Sequence, residues 1–146
     1  MSPIFLSTFT AWFTAQLLKS IIALFRSRPR TAREILLNIL WATGGMPSSH
    51  SAVVSALATS VGFIEGVDSP LFVVTFFYGL LTIRDALGVR RATGTQARAF
   101  NQLLRALSRR QRLGVKPVRE IHGHKPSEVF VGVMLGFFIA VAFCSL

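Results

Sequence analysis

The chain has 146 residues, 51% of them hydrophobic, and a formal charge of +10 from 16 Lys and Arg against 6 Asp and Glu. Such hydrophobicity excludes intrinsic disorder, and the sign of the charge excludes an acidic solvating protein. A charged fraction of 15% is low against the roughly 25% of soluble domains. A DNA-binding domain matches the charge but leaves the long apolar runs unexplained. A small all-α integral membrane protein with its cations gathered on one side accounts for both.

Taken in chain order, residues 4–25 (IFLSTFTAWFTAQLLKSIIALF) meet the length of a membrane span, broken mainly by Gln16 and Lys19. No basic n-region or small-residue cleavage signal accompanies them, which reads as a retained span rather than a signal peptide. Residues 35–41 (ILLNILW) are too short to cross and suggest an interfacial or re-entrant piece. Residues 47–64 make a second span, rich in small residues that favour close helix packing. Residues 70–89 make a third, ending in Arg84 and Asp85, and residues 126–145 a fourth, with Glu128 near its start. Four spans bury little core for a monomer, which leaves room for a homodimer.

The charges set an orientation. Arg26, Arg28, Arg30 and Arg33 follow the first span, and most remaining cations lie between Arg84 and Lys125. The turn with Glu65 and Asp68 holds no cation. By the positive-inside rule the basic loops are cytoplasmic, with both termini and that turn on the other side. Between the third and fourth spans, residues 95–112 read as a basic amphipathic helix. Ala97, Phe100, Leu103, Leu104 and Leu107 recur on one face, and Arg98, Arg105, Arg109, Arg110 and Arg112 lie mostly elsewhere. Anionic lipid headgroups fit those arginines better than nucleic acid, because no aromatics interleave with them.

Cys144 is the single cysteine and stands in an apolar run, as a packing residue does. No Cys or His cluster marks a metal site, and no cofactor is expected. The length fits one domain over residues 1–146.

The residues that look out of place share one membrane level. The cytoplasmic end of the second span carries G-G-M-P-S-S-H (44–50), that of the third R-D-A-L-G-V-R-R (84–91), and that of the fourth G-H-K-P-S-E (123–128). Lys19 lies one to two turns inside the first span. Ionisable groups at such depth are costly and point to function. Pro47 suits a first helical position, leaving the Ser48, Ser49 and His50 amides directed outward, where an anion is favoured. A capped helix after a Gly-rich turn explains the same residues. Pro126 repeats the construction, with Glu128 in reach of the His124 imidazole. That bond fixes the tautomer and leaves the other ring nitrogen for attack or proton transfer. Alternatively Glu128 only complements the helix dipole. Asp85 with Arg90 and Arg91 is a third group, suited to bidentate phosphate recognition, although Arg84 and Asp85 also read as an interfacial charge cluster. His122 has no evident partner. Together these groups suggest phosphoryl transfer, without a P-loop signature.

At this point the residues resemble a family. P-S-S-H (47–50) is similar to the P-S-G-H motif of the phosphatidic acid phosphatase type 2 superfamily, and H-K-P-S-E-V-F-V-G (124–132) to its H-x-x-x-D run, with Glu128 in place of Asp. G-G-M-P-S-S-H-S, D-A-L-G-V-R-R and G-H-K-P-S-E-V together resemble the divergent branch of that superfamily, the acid phosphatase/vanadium-dependent haloperoxidase-related membrane proteins. The resemblance runs from about Ala15 to the C-terminus. It implies that His124 is the nucleophile, Glu128 its carboxylate partner and His50 the proton donor to the leaving alkoxide. It further implies that Ser49, with Ser48 beside it, offers backbone amides to phosphate, and that Lys19 matches the first-motif lysine. This chain departs from the pattern where Lys19 and Arg28-Pro29 are widely spaced, and where Val118 stands for an arginine with Arg119 one residue late. Arg90 or Arg91 is then left to supply the missing cation, and the usual six-span core is shortened.

The expectation is therefore a metal-independent membrane phosphatase acting on a lipid phosphomonoester: phosphatidate, phosphatidylglycerophosphate or a polyprenyl phosphate. The competing reading is a non-catalytic lipid-binding or assembly protein with the same anion pocket.

Overall fold

The computed structural model describes residues 2–26, 45–111, 116–118 and 123–145. The expected interfacial piece at 35–41, Arg28-Pro29, Arg30, Arg33, Gly44, Arg112, Arg119 and His122 lie outside the described residues. Among the described residues there are five helices and no strand: α1 (Pro3–Arg26), α2 (Ser49–Ile64), α3 (Pro70–Leu87), α4 (Val89–Gln111) and α5 (Pro126–Cys144). The all-helical expectation holds for this part of the chain.

Local chemistry sets several of the helix starts. Ser69 caps α3 by accepting the Phe72 amide at 3.2 Å, and Pro70 enters the first turn, where its missing N–H costs nothing. Pro126 opens α5 in the same way, and the Glu128 carboxylate reaches back to the Lys125 amide at 3.1 Å. The start of α2 differs from expectation. Pro47 is not its first residue. It follows a cis peptide from Met46, and Ser48 is the N-cap.

Among the described residues, two helical stretches are long and apolar enough to cross a membrane, one within Pro70–Ser108 and the other Pro126–Cys144. α1 has 24 residues, about 36 Å at the helical rise, but is interrupted by buried Gln16 and Lys19. α2 has only 16 residues, about 24 Å, and is the hub that packs on α1, α3 and α5.

The interior is built from small residues. Ala11, Ala52, Ala56 and Ala140 are buried, as are Ser7, Ser51 and Ser60, while Phe5, Phe9, Phe77 and Phe138 point outward. Water would favour the reverse. Hydrocarbon surroundings solvate Phe as well as a core does, so contact between helices is governed by close approach and internal hydrogen bonds. Ser7 and Ser60 share one such bond at 2.6 Å, and the Ser55 hydroxyl donates to the Val133 carbonyl at 2.8 Å. α5 approaches α2 most closely at Gly132 and Gly136, where a Cβ would fall on the carbonyl oxygens of Ser48 and Ala52.

α4 begins at Val89, earlier than the expected 95. Gly88 carries the helical bonding across the junction. Its amide donates to the Arg84 carbonyl at 2.8 Å, and its carbonyl accepts the Ala92 amide at 2.9 Å. The V-R-R-A-T-G stretch is therefore helix rather than loop. Among the described helices, α4 packs on none other than α3. A different contact holds it: the Asn101 carboxamide donates to the Val118 carbonyl at 2.8 Å and accepts the Val118 amide at 2.9 Å.

Candidate functional site

Four stretches distant in sequence meet at one end of the bundle. The His124 amide donates to the Ala86 carbonyl at 3.3 Å, joining α5's leader to the end of α3. Gly123 lies against the backbone of Arg91, where a Cβ would stand 2.5 Å from the Arg91 Cα. The Ser48 amide donates to the Glu128 carbonyl at 2.9 Å, tying the entry of α2 to the first turn of α5. The Lys19 ammonium donates to the Ser49 hydroxyl at 3.0 Å, bringing in α1. The three sequence motifs and the lone intraspan lysine thus form one cluster.

Within it, His124 is buried at 7% exposure and its Nδ1 is 3.1 Å from Glu128 Oε2. A carboxylate beside Nδ1 favours the tautomer that donates there, which leaves Nε2 with a lone pair. The same oxygen accepts the Lys125 amide at 3.1 Å. Glu128 therefore bonds the helix terminus and the imidazole at once. Its position is fixed by the backbone of its own helix, so the ring is held without a flexible intermediary.

The N-terminus of α2 supplies a second element. The Ser48 hydroxyl accepts the Ser51 amide at 3.4 Å and the Ser51 hydroxyl at 2.9 Å, and the Ser48 carbonyl accepts the Ala52 amide at 3.1 Å. Ser48 is wholly buried. Its amide is committed to Glu128, which corrects the expectation that it points outward for an anion. The Ser49 amide also stands in the first turn, where a helix offers no internal acceptor. Ser49 is buried under Lys19, whereas His50 is exposed.

The arginine group is less concentrated than expected. Asp85 is half-buried and engaged, while the Arg84 and Arg91 side chains are exposed. Arg91 reaches the cluster through its backbone at Gly123. The Arg90 side chain lies outside the described residues. Among the described residues, no three His, Cys, Asp or Glu side chains converge.

Sequence reasoning missed the contacts of three residues inside its own motifs, Ala86, Gly123 and Gly132, and the Asn101 bonds that hold α4. Gly132 was legible as the first glycine of a G-x-x-x-G run, a spacing that lets helices touch. The Ala86 carbonyl, the Gly123 packing and the Asn101 clamp left no signal, because a backbone acceptor or a polar residue on an amphipathic helix looks the same whether engaged or idle.

A family model described as "Divergent PAP2 family" matches residues 1–139. A protein of Bacillus subtilis (strain 168), described as "Uncharacterized membrane protein YuiD", is 36% identical over 147 residues, covering 93% of this chain and 90% of that protein. No solved structure matches the chain.

Proposed function

Since the chain belongs to the divergent PAP2 family, we propose that it is a membrane phosphatase that hydrolyses a lipid phosphomonoester through a phosphohistidine at His124. The observation that carries this reading is the His124–Glu128 pair, 3.1 Å apart, with His124 buried and Glu128 half-buried beside the start of α2. In this reading His124 Nε2 attacks phosphorus and forms a P–N bond as the P–O bond to the lipid alkoxide breaks. His50 gives its proton to that oxygen. Water, deprotonated by His50, then attacks phosphorus, the P–N bond breaks, and inorganic phosphate leaves with His124 regenerated. Lys19 and the Ser49 amide stabilise the charge gathering on the phosphoryl oxygens. Arg90 or Arg91 adds a cation from the α3–α4 junction.

The same proposal places four spans, α1, α2, α3 and α5, across the bilayer with the cluster at its cytoplasmic face. The exposed Arg91, Arg98 and Arg105 support it, since α4 then meets anionic headgroups. Substrate depth follows: the phosphate reaches the cluster while the tail stays among the spans.

The test is phosphate release from a panel of phosphatidate, phosphatidylglycerophosphate and polyprenyl phosphate by purified protein in detergent with chelator. Release should occur in wild type and stop in His124→Ala, and acid-labile phosphate should be trapped on His124. Binding of the same lipids with no release by wild type overturns catalysis in favour of a lipid-binding protein.

A further inference from the structure

α3 and α5 both pack on α2 but scarcely touch each other. Between them a groove of about 660 Å³ runs over α2, within the size range of small-molecule sites. Val54, Ala58 and Gly62 form its floor, with Phe76 and Ile83 on one wall and Phe137 on the other. The lining is almost wholly apolar. The Ser55 hydroxyl on its floor is spent on the Val133 carbonyl, so it offers a ligand little to bond.

We propose that this groove holds one hydrocarbon chain of the lipid whose phosphate meets His124, and that its far end sets the preferred chain length. The inference rests on the phosphatase reading and names the substrate's tail. Two observations carry it. The first is continuity with the site. Ile83 lies one turn before Ala86, which bonds the His124 amide, and Val133 lies little more than a turn beyond Glu128. The near end of the groove thus lies within about one to one and a half turns of the cluster along both α3 and α5. The second is a stop. At the opposite end the Phe72 ring packs on Gly62, where even a Cβ would come within 3.0 Å of it. From Ile83 to Phe72 the helical rise gives a run of about 17 Å. A chain longer than that must bend out into the bilayer, where it gains nothing over bulk lipid.

The experiment measures kcat/KM in detergent for n-alkyl monophosphates from butyl to octadecyl. In wild type it should rise with chain length and level off once the chain fills the groove. Gly79→Leu, which projects a side chain into the groove beside Val54, should flatten the rise while leaving butyl phosphate turnover unchanged, which also reports that the variant is folded. Phe72→Ala should move the plateau to longer chains. Release independent of chain length in wild type, or a long-chain profile unaltered by Gly79→Leu, overturns the groove while leaving the phosphatase standing. If no substrate is turned over, an alkyl phosphonate with a diazirine at its tail reads the groove alone. Labelling of Phe76 and Gly79 supports it, and labelling spread over Phe5, Phe13 and Phe138 overturns it. Disulfide formation between two copies of Gly79→Cys, made in a Cys144→Ser background, assigns the groove to a second copy and also overturns it.

Discussion

At the scale of single residues, Glu128 holds the most consequential position. Its carboxylate joins the Lys125 amide to the His124 ring, so its charge and its placement act together. Glu128→Gln keeps the size and one acceptor but removes the charge that favours the Nδ1–H tautomer and stabilises a cationic ring. We expect kcat for phosphate release to fall by about 10²–10⁴-fold with little change in KM. Lys19 acts on the other side of the cluster, buried and bonded to Ser49. Lys19→Met should lower kcat/KM by about 10²–10³-fold, as loss of one preorganised donor does. Both residues were visible in the sequence as charges in apolar runs. Their partners were only half visible. Glu128 is four residues from His124, close enough across the start of a helix to suggest the contact, whereas Ser49 is thirty residues from Lys19 and no local rule connects them.

At the scale of elements, the contacts that align the motifs are mostly backbone contacts. α5 presses on α2 through Gly132, and the Ser48 amide bonds the Glu128 carbonyl at the same crossing. Gly132→Val forces a side chain onto the Ser48 carbonyl. It should cost about 1–3 kcal/mol, seen as a lower thermal midpoint in detergent, together with loss of phosphate release. α4 depends on Asn101, which makes two bonds to Val118 from a buried position. Asn101→Ala leaves both Val118 groups without their partner, and faster hydrogen exchange at the Val118 amide should report it. Helix identity was readable from apolar runs and from Pro126 at a first helical position. The starts of α2 and α4 were not. Pro47 satisfies the rule for a first helical position yet stands before the cap, and Gly88 satisfies the rule for a helix end yet passes the helical bonding onward.

At the scale of the whole molecule, large side chains face outward and small ones inward, which suits a bundle solvated by hydrocarbon. α5 spans 19 residues, about 28 Å, with His124 just before its first turn. In the proposed arrangement its two ends lie on opposite faces of the bilayer. In a Cys144→Ser background, Lys125→Cys should react with an impermeant maleimide only from the cytoplasmic side, and Ser145→Cys only from the other. Both positions are exposed. Labelling of both from one side overturns the crossing of α5.

Composition and periodicity by themselves determined the helical class, the apolar stretches and the residues worth suspecting, because each is a local property: an apolar run, a charge out of place, a proline before a helix. Only the tertiary structure decided what those residues do to one another. It put the Ser48 amide on Glu128 and took it from any anion, set Lys19 on Ser49, and anchored His124 to the end of α3 through the Ala86 carbonyl. Those outcomes depend on how closely helices can approach, which the small residues at the crossings allow but do not aim. The charge of +10 that first marked the chain is divided in the same way. Its sign and clustering were plain in the sequence, and the burial of Lys19 beside exposed Arg91 and Arg98 emerged only from packing.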